Sequence, residues 1–135
     1  MSVPREATPA TSRNGVRHWT LLAGLLAATH VAYVLFVLFG GLLIPVWPWI
    51  VPVHLAAVAW AGATMIGNLG CPVTTWEKTA LKRSGREPYP EGFLQHHVLR
   101  TRFDPAAARR NHIILGAVAI ALNVGIYLYS LRTAY

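Results

Sequence analysis

The sequence predicts an all-α integral membrane protein with three transmembrane helices, the N-terminus inside and the C-terminus outside. One or two short interfacial helices are expected in a long cytoplasmic loop. Three observations carry this prediction. Between Arg17 and Glu77 lie 59 residues without an Asp, Glu, Lys or Arg, and between Arg110 and Arg132 lie another 21. Of the 135 residues, 54% are hydrophobic and only 13% charged, where soluble chains carry about 25% charged. Lastly, eleven of the twelve Lys and Arg fall on one side of the predicted spans. About 20 apolar residues cross a bilayer core. A soluble domain or a disordered chain needs more polar surface than this.

Residues 1–18 include Ser2, Pro4, Pro9, Ser12 and Asn14 without apolar periodicity, and read as a disordered cytoplasmic tail. The apolar run after Arg17 is too long for the h-region of a signal peptide, about 7–15 residues. The 59-residue stretch is also too long for one span, at nearly three times the thickness of a bilayer core as a helix. Pro45, Pro48 and Pro52 interrupt it, and Trp47 and Trp49 mark an interface. Spans are therefore expected at about 19–44 and 50–69, joined by an uncharged turn.

Gly70-Cys71-Pro72 closes the second span, because a residue before proline disfavours helix. Thr74-Thr75-Trp76-Glu77 matches a capping box with Thr74 as N-cap. It predicts a short helix over about Thr75 to Ser84, stopped by Gly85 and lying flat among headgroups. Pro88-Tyr89-Pro90 is a stiff turn, and Glu91 to Leu99 suits a second short helix. Asp104-Pro105 is a strong helix start, leading to a third span at 112–131. Residues 70–111 form the cytoplasmic loop, and 132–135 a short outer tail. Together 19–131 make a single membrane domain.

Basic residues concentrated beside spans place the N-terminus in the cytoplasm. The net charge of +7 and the pI near 10.3 otherwise raise nucleic acid as a partner. Here the charges flank apolar spans, so no nucleic-acid partner is expected. Cys71 is the sole cysteine and forms no internal disulfide. Small residues recur at helix-contact spacing: Gly24 with Ala28, Ala57 with Ala61, and Ala117 with Ala121 and Gly125. Such stripes let helices approach closely in lipid. The expected partners are the lipid bilayer and membrane helices, of other proteins or of a second copy.

His30 stands about 11 residues into the first span, where an ionisable group is a functional candidate. Asn123 falls at similar depth in the third span, level with Ala59 to Met65 in the second. His30, Met65 and Asn123 are thus candidates for cofactor binding, with haem the group considered, and His30 for a proton relay. The plainer reading is a neutral His30 hydrogen-bonded to Asn123, Thr29 or a backbone carbonyl. His54, close to the start of its span, reads as interfacial. On the cytoplasmic side, Cys71, Glu77 and His96 are catalytic candidates, as a thiol nucleophile with its base. His96, His97 and Glu91 are metal candidates. Their bland roles are a helix cap for Glu77, headgroup contacts for the histidines and a small helix-end residue for Cys71. Neither Cys-x-x-Cys nor His-Glu-x-x-His occurs, nor does a Gly-rich phosphate loop.

The ordered motifs are His30-x-x-Tyr33-Val34-x-Phe36 with Gly40-Gly41, and His54-Leu55 with Trp60. Cys71-Pro72-x-Thr74-x-x-Glu77, Gly92-Phe93-x-x-His96 and Leu122-Asn123-x-x-x-Tyr127 follow. Over about Trp19 to Leu131 this set resembles the bacterial domain-of-unknown-function 2784 membrane proteins. That family often has an acidic residue shortly before the Cys-Pro, where Met65 and Ile66 stand here. The departure weakens a proton-relay role for His30. The resemblance implies a small multi-span protein, with the bacterial inner membrane as the expected location, and supplies no activity. Small size, missing motifs and small-residue stripes favour a non-enzymatic accessory or scaffold subunit that docks on other membrane proteins. The alternatives are a haem- or metal-binding redox protein using His30, and a lipid-acting enzyme using Cys71, Glu77 and His96.

Overall fold

The computed structural model describes residues 12–67, 69–90, 92, 93, 96, 97 and 104–134. Its elements are α1 (Arg13–Phe39), a 3₁₀ turn (Gly40–Leu43), α2 (Ile50–Ile66), α3 (Pro72–Arg83) and α4 (Pro105–Ala134). There is no strand among the described residues. Two segments, Arg13–Leu43 and Ala106–Thr133, are long and apolar enough to cross a membrane, and α2 is a shorter apolar helix. The first helix starts at Arg13 rather than Trp19, so residues 13–18 are helical and not part of a tail. Residues 1–11 of that expected tail lie outside the described residues, as does most of the expected helix from Glu91 to Leu99.

Helix ends follow local chemistry. Asp104 caps α4, its Oδ1 accepting the Ala106 N–H at 3.1 Å. Gly85, at φ +81°, follows α3. There the Arg86 N–H reaches the Leu81 carbonyl and the Gly85 N–H that of Lys82, each at 3.0 Å, which is a Schellman closure. The expected Thr74 cap is not used. Pro72 occupies the first position of α3, where its missing N–H does no harm. This starts the helix three residues early, with Cys71 as N-cap.

The helix order in space follows from side-chain contacts. Tyr33 donates to the Ala57 carbonyl at 2.8 Å, pairing α1 with an antiparallel α2. Asn123 reaches the Val37 carbonyl and Ser130 the Gly41 carbonyl, setting α4 parallel to α1. The third helix runs antiparallel along the N-terminal half of α1. Thr74 lies at His30, and the Arg83 guanidinium sits 4.6 Å over the Trp19 ring. It packs along a helix instead of lying flat as expected. Its buried Glu77 and Ala80 cover the part of α1 that the shorter α2 leaves open.

The buried residues of α1 are Ala23, His30 and Val37, and those of α4 are Gly116, Asn123 and Ser130. Both sets repeat every seven residues, the period of a helix seam, and most are small or polar. Outward-facing residues are large and apolar, with Leu21 68% and Leu25 65% exposed. The bundle is therefore polar within and apolar without.

Gly40 and Gly41 let the turn pass close to α2 and α4. A Cβ on Gly40 would stand 2.6 Å from His54 Cδ2, and one on Gly41 2.7 Å from Ile126 Cγ2. A Cβ on Gly24 would meet nothing within 4 Å. Gly40→Val and Gly41→Val are thus each expected to destabilise the bundle by about 1–3 kcal/mol through overpacking, whereas Gly24→Ala, in open space inside a helix, stabilises it by up to about 1 kcal/mol. Thermal unfolding of the three variants in detergent micelles checks this.

Candidate functional site

The seam of α1 buries His30, and the early start of α3 brings Cys71 and Thr74 against it. Cys71 Sγ lies 4.0 Å from His30 Nε2, and Thr74 Oγ1 lies 3.5 Å from Nδ1. Phe93 stacks on the imidazole with centroids 3.9 Å apart and planes 17° from parallel. With Thr74 as acceptor, Nδ1 holds a proton and Nε2 presents its lone pair to the thiol. When the thiol proton moves to Nε2, both ring nitrogens donate, one to the thiolate and one to Thr74. A nucleophile, its base and a group that orients the base are thereby assembled.

Electrostatics favour the thiolate. The Cys71 pKa falls from the ordinary thiol value to about 7. The hydrogen bond to His30 is the main cause. Burial opposes it, while the amides of Thr74 and Val73 and the charge of His30 add to it. Those amides begin α3, where partial positive charge gathers, although no cap hydrogen bond is closed.

Cys71 and His30 line a cavity of about 310 Å³. Lys78 and His112 add polar character to its wall, and Trp60, Met65 and Leu69 make it apolar elsewhere. Beside it, Glu77 is only 2% exposed. It accepts the Tyr89 hydroxyl at 3.0 Å and faces His97 Nε2 at 3.3 Å. Tyr89 stacks on His96 at 4.0 Å, and Phe93 lies between His30 and His97. Glu77 therefore anchors the segment that carries Phe93 onto His30. It is not the helix cap expected, because α3 starts at Pro72 and Glu77 falls in its second turn, facing inward.

A second polar cluster lies toward the 3₁₀ turn. His54 is 0% exposed, so it is not the interfacial residue expected. The turn folds its ring inward beneath Gly40. Its Nε2 faces the Val37 carbonyl at 3.3 Å and its Nδ1 the Tyr127 hydroxyl at 2.9 Å. A carbonyl only accepts, so Nε2 carries the proton and Tyr127 donates to Nδ1. Asn123 Nδ2 donates to the carbonyls of Val37 at 3.0 Å and Ala119 at 2.8 Å. Asn123 is therefore level with Val37, about 10 Å along α1 from His30, and the two do not share the depth expected. Depth counted from Trp19 ignored the overhang of α1 beyond α2.

Of the cofactor candidates, His30 and Met65 line one cavity while Asn123 belongs to the other cluster. The catalytic trio is divided: Cys71 meets His30, Glu77 meets Tyr89 and His97, and His96 stacks on Tyr89. Among the metal candidates, Glu91 lies outside the described residues, and the His96 and His97 rings meet edge to face at 4.8 Å. No cluster of three metal-ligating residues occurs among the described residues. Sequence reasoning singled out both His30 and Cys71 but not their pairing. Thr74, taken as a cap, and Phe93, named only within the ordered motifs, were also missed as parts of the site.

A family model described as Protein of Unknown function (DUF2784) matches residues 20–128. Comparison with curated proteins and with solved structures gives no match.

The lowered Cys71 pKa predicts a specific titration. Its alkylation by iodoacetamide is expected to rise with pH through an inflection near 7. His30→Asn moves the inflection up toward 8.5–9 and slows alkylation at pH 7 about fivefold, since the more basic thiol is less ionised but more nucleophilic. Intact-mass kinetics read both effects on this sole cysteine.

Proposed function

The chain belongs to the DUF2784 family of proteins of unknown function, and we propose that it is a bacterial inner-membrane protein whose activity resides in a thiol nucleophile, Cys71, served by His30. One observation carries this reading: Cys71 Sγ stands at the N-terminus of α3, 4.0 Å from an imidazole, on the wall of a 310 Å³ cavity. The polar interior and apolar surface support membrane residence, because a bilayer leaves polar groups no partner outside the bundle. Two long apolar helices, with the 17-residue α2 at the lower limit of a spanning length, support a reading of three spans. The basic residues orient the N-terminus and the Cys71 cavity toward the cytoplasm.

The geometry favours a thiol site over a haem site. Both nitrogens of His30 face partners and Phe93 covers the ring, so iron ligation would displace Cys71 or Thr74. A second reading, the accessory subunit, is favoured by open helix faces. A Cβ on Gly24, Gly62 or Gly125 meets nothing within 4 Å. A helix from a partner, or from a second copy, fits such smooth faces.

Three outcomes test these readings. In spheroplasts, a permeant maleimide is expected to label Cys71 while an impermeant one does not. Plasmids carrying Cys71→Ala or His30→Asn are expected not to restore a phenotype lost on deletion of the gene. Restoration by both would remove the thiol reading. For the accessory reading, Gly125→Cys in a Cys71→Ala background is expected to cross-link to a neighbouring helix within intact membranes. A product of monomer mass alone speaks against it.

A further inference from the structure

Below the Cys71 cavity lies a second void of about 120 Å³ between α1, α2 and α4. The two share Tyr33, Val34, Ala61 and Met65 as walls. The lower void reaches Leu115, Ala119 and Ile120 and offers almost nothing polar. The one hydroxyl in its wall, on Tyr33, already donates to the Ala57 carbonyl. An apolar void excludes water and accepts hydrocarbon. Of the shared walls, Met65 is unbranched and yields readily to a ligand, and Ala61 is small. At the upper end, Lys78 supplies positive charge and His112 a ring nitrogen. Polar mouth, nucleophile and hydrocarbon slot thus lie in sequence along the bundle.

We propose that the two voids together take a single-chain acyl thioester, tail downward, and that its acyl group is transferred to Cys71 Sγ. The inference rests on the thiol reading above and names its substrate class. His30 Nε2 takes the Cys71 proton as Sγ attacks the carbonyl carbon. The new bond is Sγ–C, the bond broken joins that carbon to the donor's sulfur, and the departing thiolate receives the proton from His30. A thiol and a thioester enter, and a thiol and a thioester leave, so no oxidant or reductant is needed. An oxygen ester is a poorer donor, since thioester formation from it runs uphill. An anionic group on the donor's head suits Lys78 at the mouth.

The test uses the full chain in lipid nanodiscs, with palmitoyl-coenzyme A and acetyl-coenzyme A as probes and intact mass as readout. The wild type is expected to gain one hydroxylamine-labile palmitoyl group, and Cys71→Ala none. His30→Asn slows the transfer about tenfold or more, as loss of a general base does. Ala61→Leu fills the wall shared by both voids and reduces the preference for palmitoyl over acetyl about tenfold. Ile120→Phe, which enters the lower void from α4, replaces it if Ala61→Leu does not fold. Equal rates for the two donors overturn the proposal. So does a palmitoyl preference unchanged by the filling variant, which reflects partitioning into lipid alone. If no acyl group is gained while alkylation still titrates near pH 7, the acyl inference falls and the thiol site stands. If alkylation is also that of an ordinary thiol, both fall.

Discussion

One carbonyl holds three helices together. The last carbonyls of a helix lack intrahelical partners, and near the end of α1 that of Val37 receives Asn123 Nδ2 from α4 and His54 Nε2 from α2. Tyr127 closes the group from α4 through His54 Nδ1. In water such bonds compete with solvent and contribute little. Within a bilayer the competition is weaker, and an orphaned polar group carries a penalty of several kcal/mol. The knot therefore fixes the register of α1, α2 and α4 at one level. It has one loose end: Asn123 Oδ1 is buried without a partner among the described residues.

That register dictates what happens at the other end of the bundle. With 27 residues against 17, α1 outruns α2 by about 15 Å. The seam residues Ala23 and His30 would then lie bare. The chain resolves this by breaking at Gly67 and resuming as α3 in the same direction, so that Glu77 and Ala80 cover the exposed length of α1. The start of α3 must fall where α2 stops, at the level of His30. Cys71, as the residue before Pro72, is therefore delivered to the imidazole by the helix-length mismatch. Glu77, in turn, holds Tyr89 and His97, and through them Phe93.

These relations explain what was legible in the sequence. Runs without charge located the long helices because apolar length is a local property. Gly85 and Asp104-Pro105 marked true ends because caps depend on two or three neighbouring residues. The Thr74 capping box failed because Pro72 offered an earlier start that satisfied the same rules. His54 was misread because its burial depends on how tightly Gly40-Gly41 turn, which is a contact with α2 and α4 and not a local preference. The heptads His30–Val37 and Gly116–Asn123–Ser130 were present to be read, but small and polar residues at a seam are hard to distinguish from chance where alanine abounds. The pairing of Cys71 with His30 spans 41 residues, a reversal of the chain and a break between two helices, and no periodicity encodes it. The motif residues themselves sort into the two clusters. His30, Tyr33, Cys71, Thr74 and Phe93 make one, and Phe36, Gly40, Gly41, His54, Asn123 and Tyr127 make the other.

The two buried histidines show why only one cluster reads as chemistry. His54 is fully enclosed, and its partners, a carbonyl and a phenol, fix one tautomer and leave no ring nitrogen open. A proton moved there would break the knot. His30 is nearly as buried, yet its partners are a thiol at 4.0 Å and a hydroxyl at 3.5 Å, on the wall of a cavity. Those contacts are long for structural bonds, while catalytic hydrogen bonds tighten only when substrate arrives. The thiol sits at a helix N-terminus, which stabilises the anion that transfer creates. A hydroxyl such as that of Thr74 can accept from Nδ1 in either protonation state, so moving the proton does not strain the imidazole. A group retained only for packing has no need of a partner that tolerates both states.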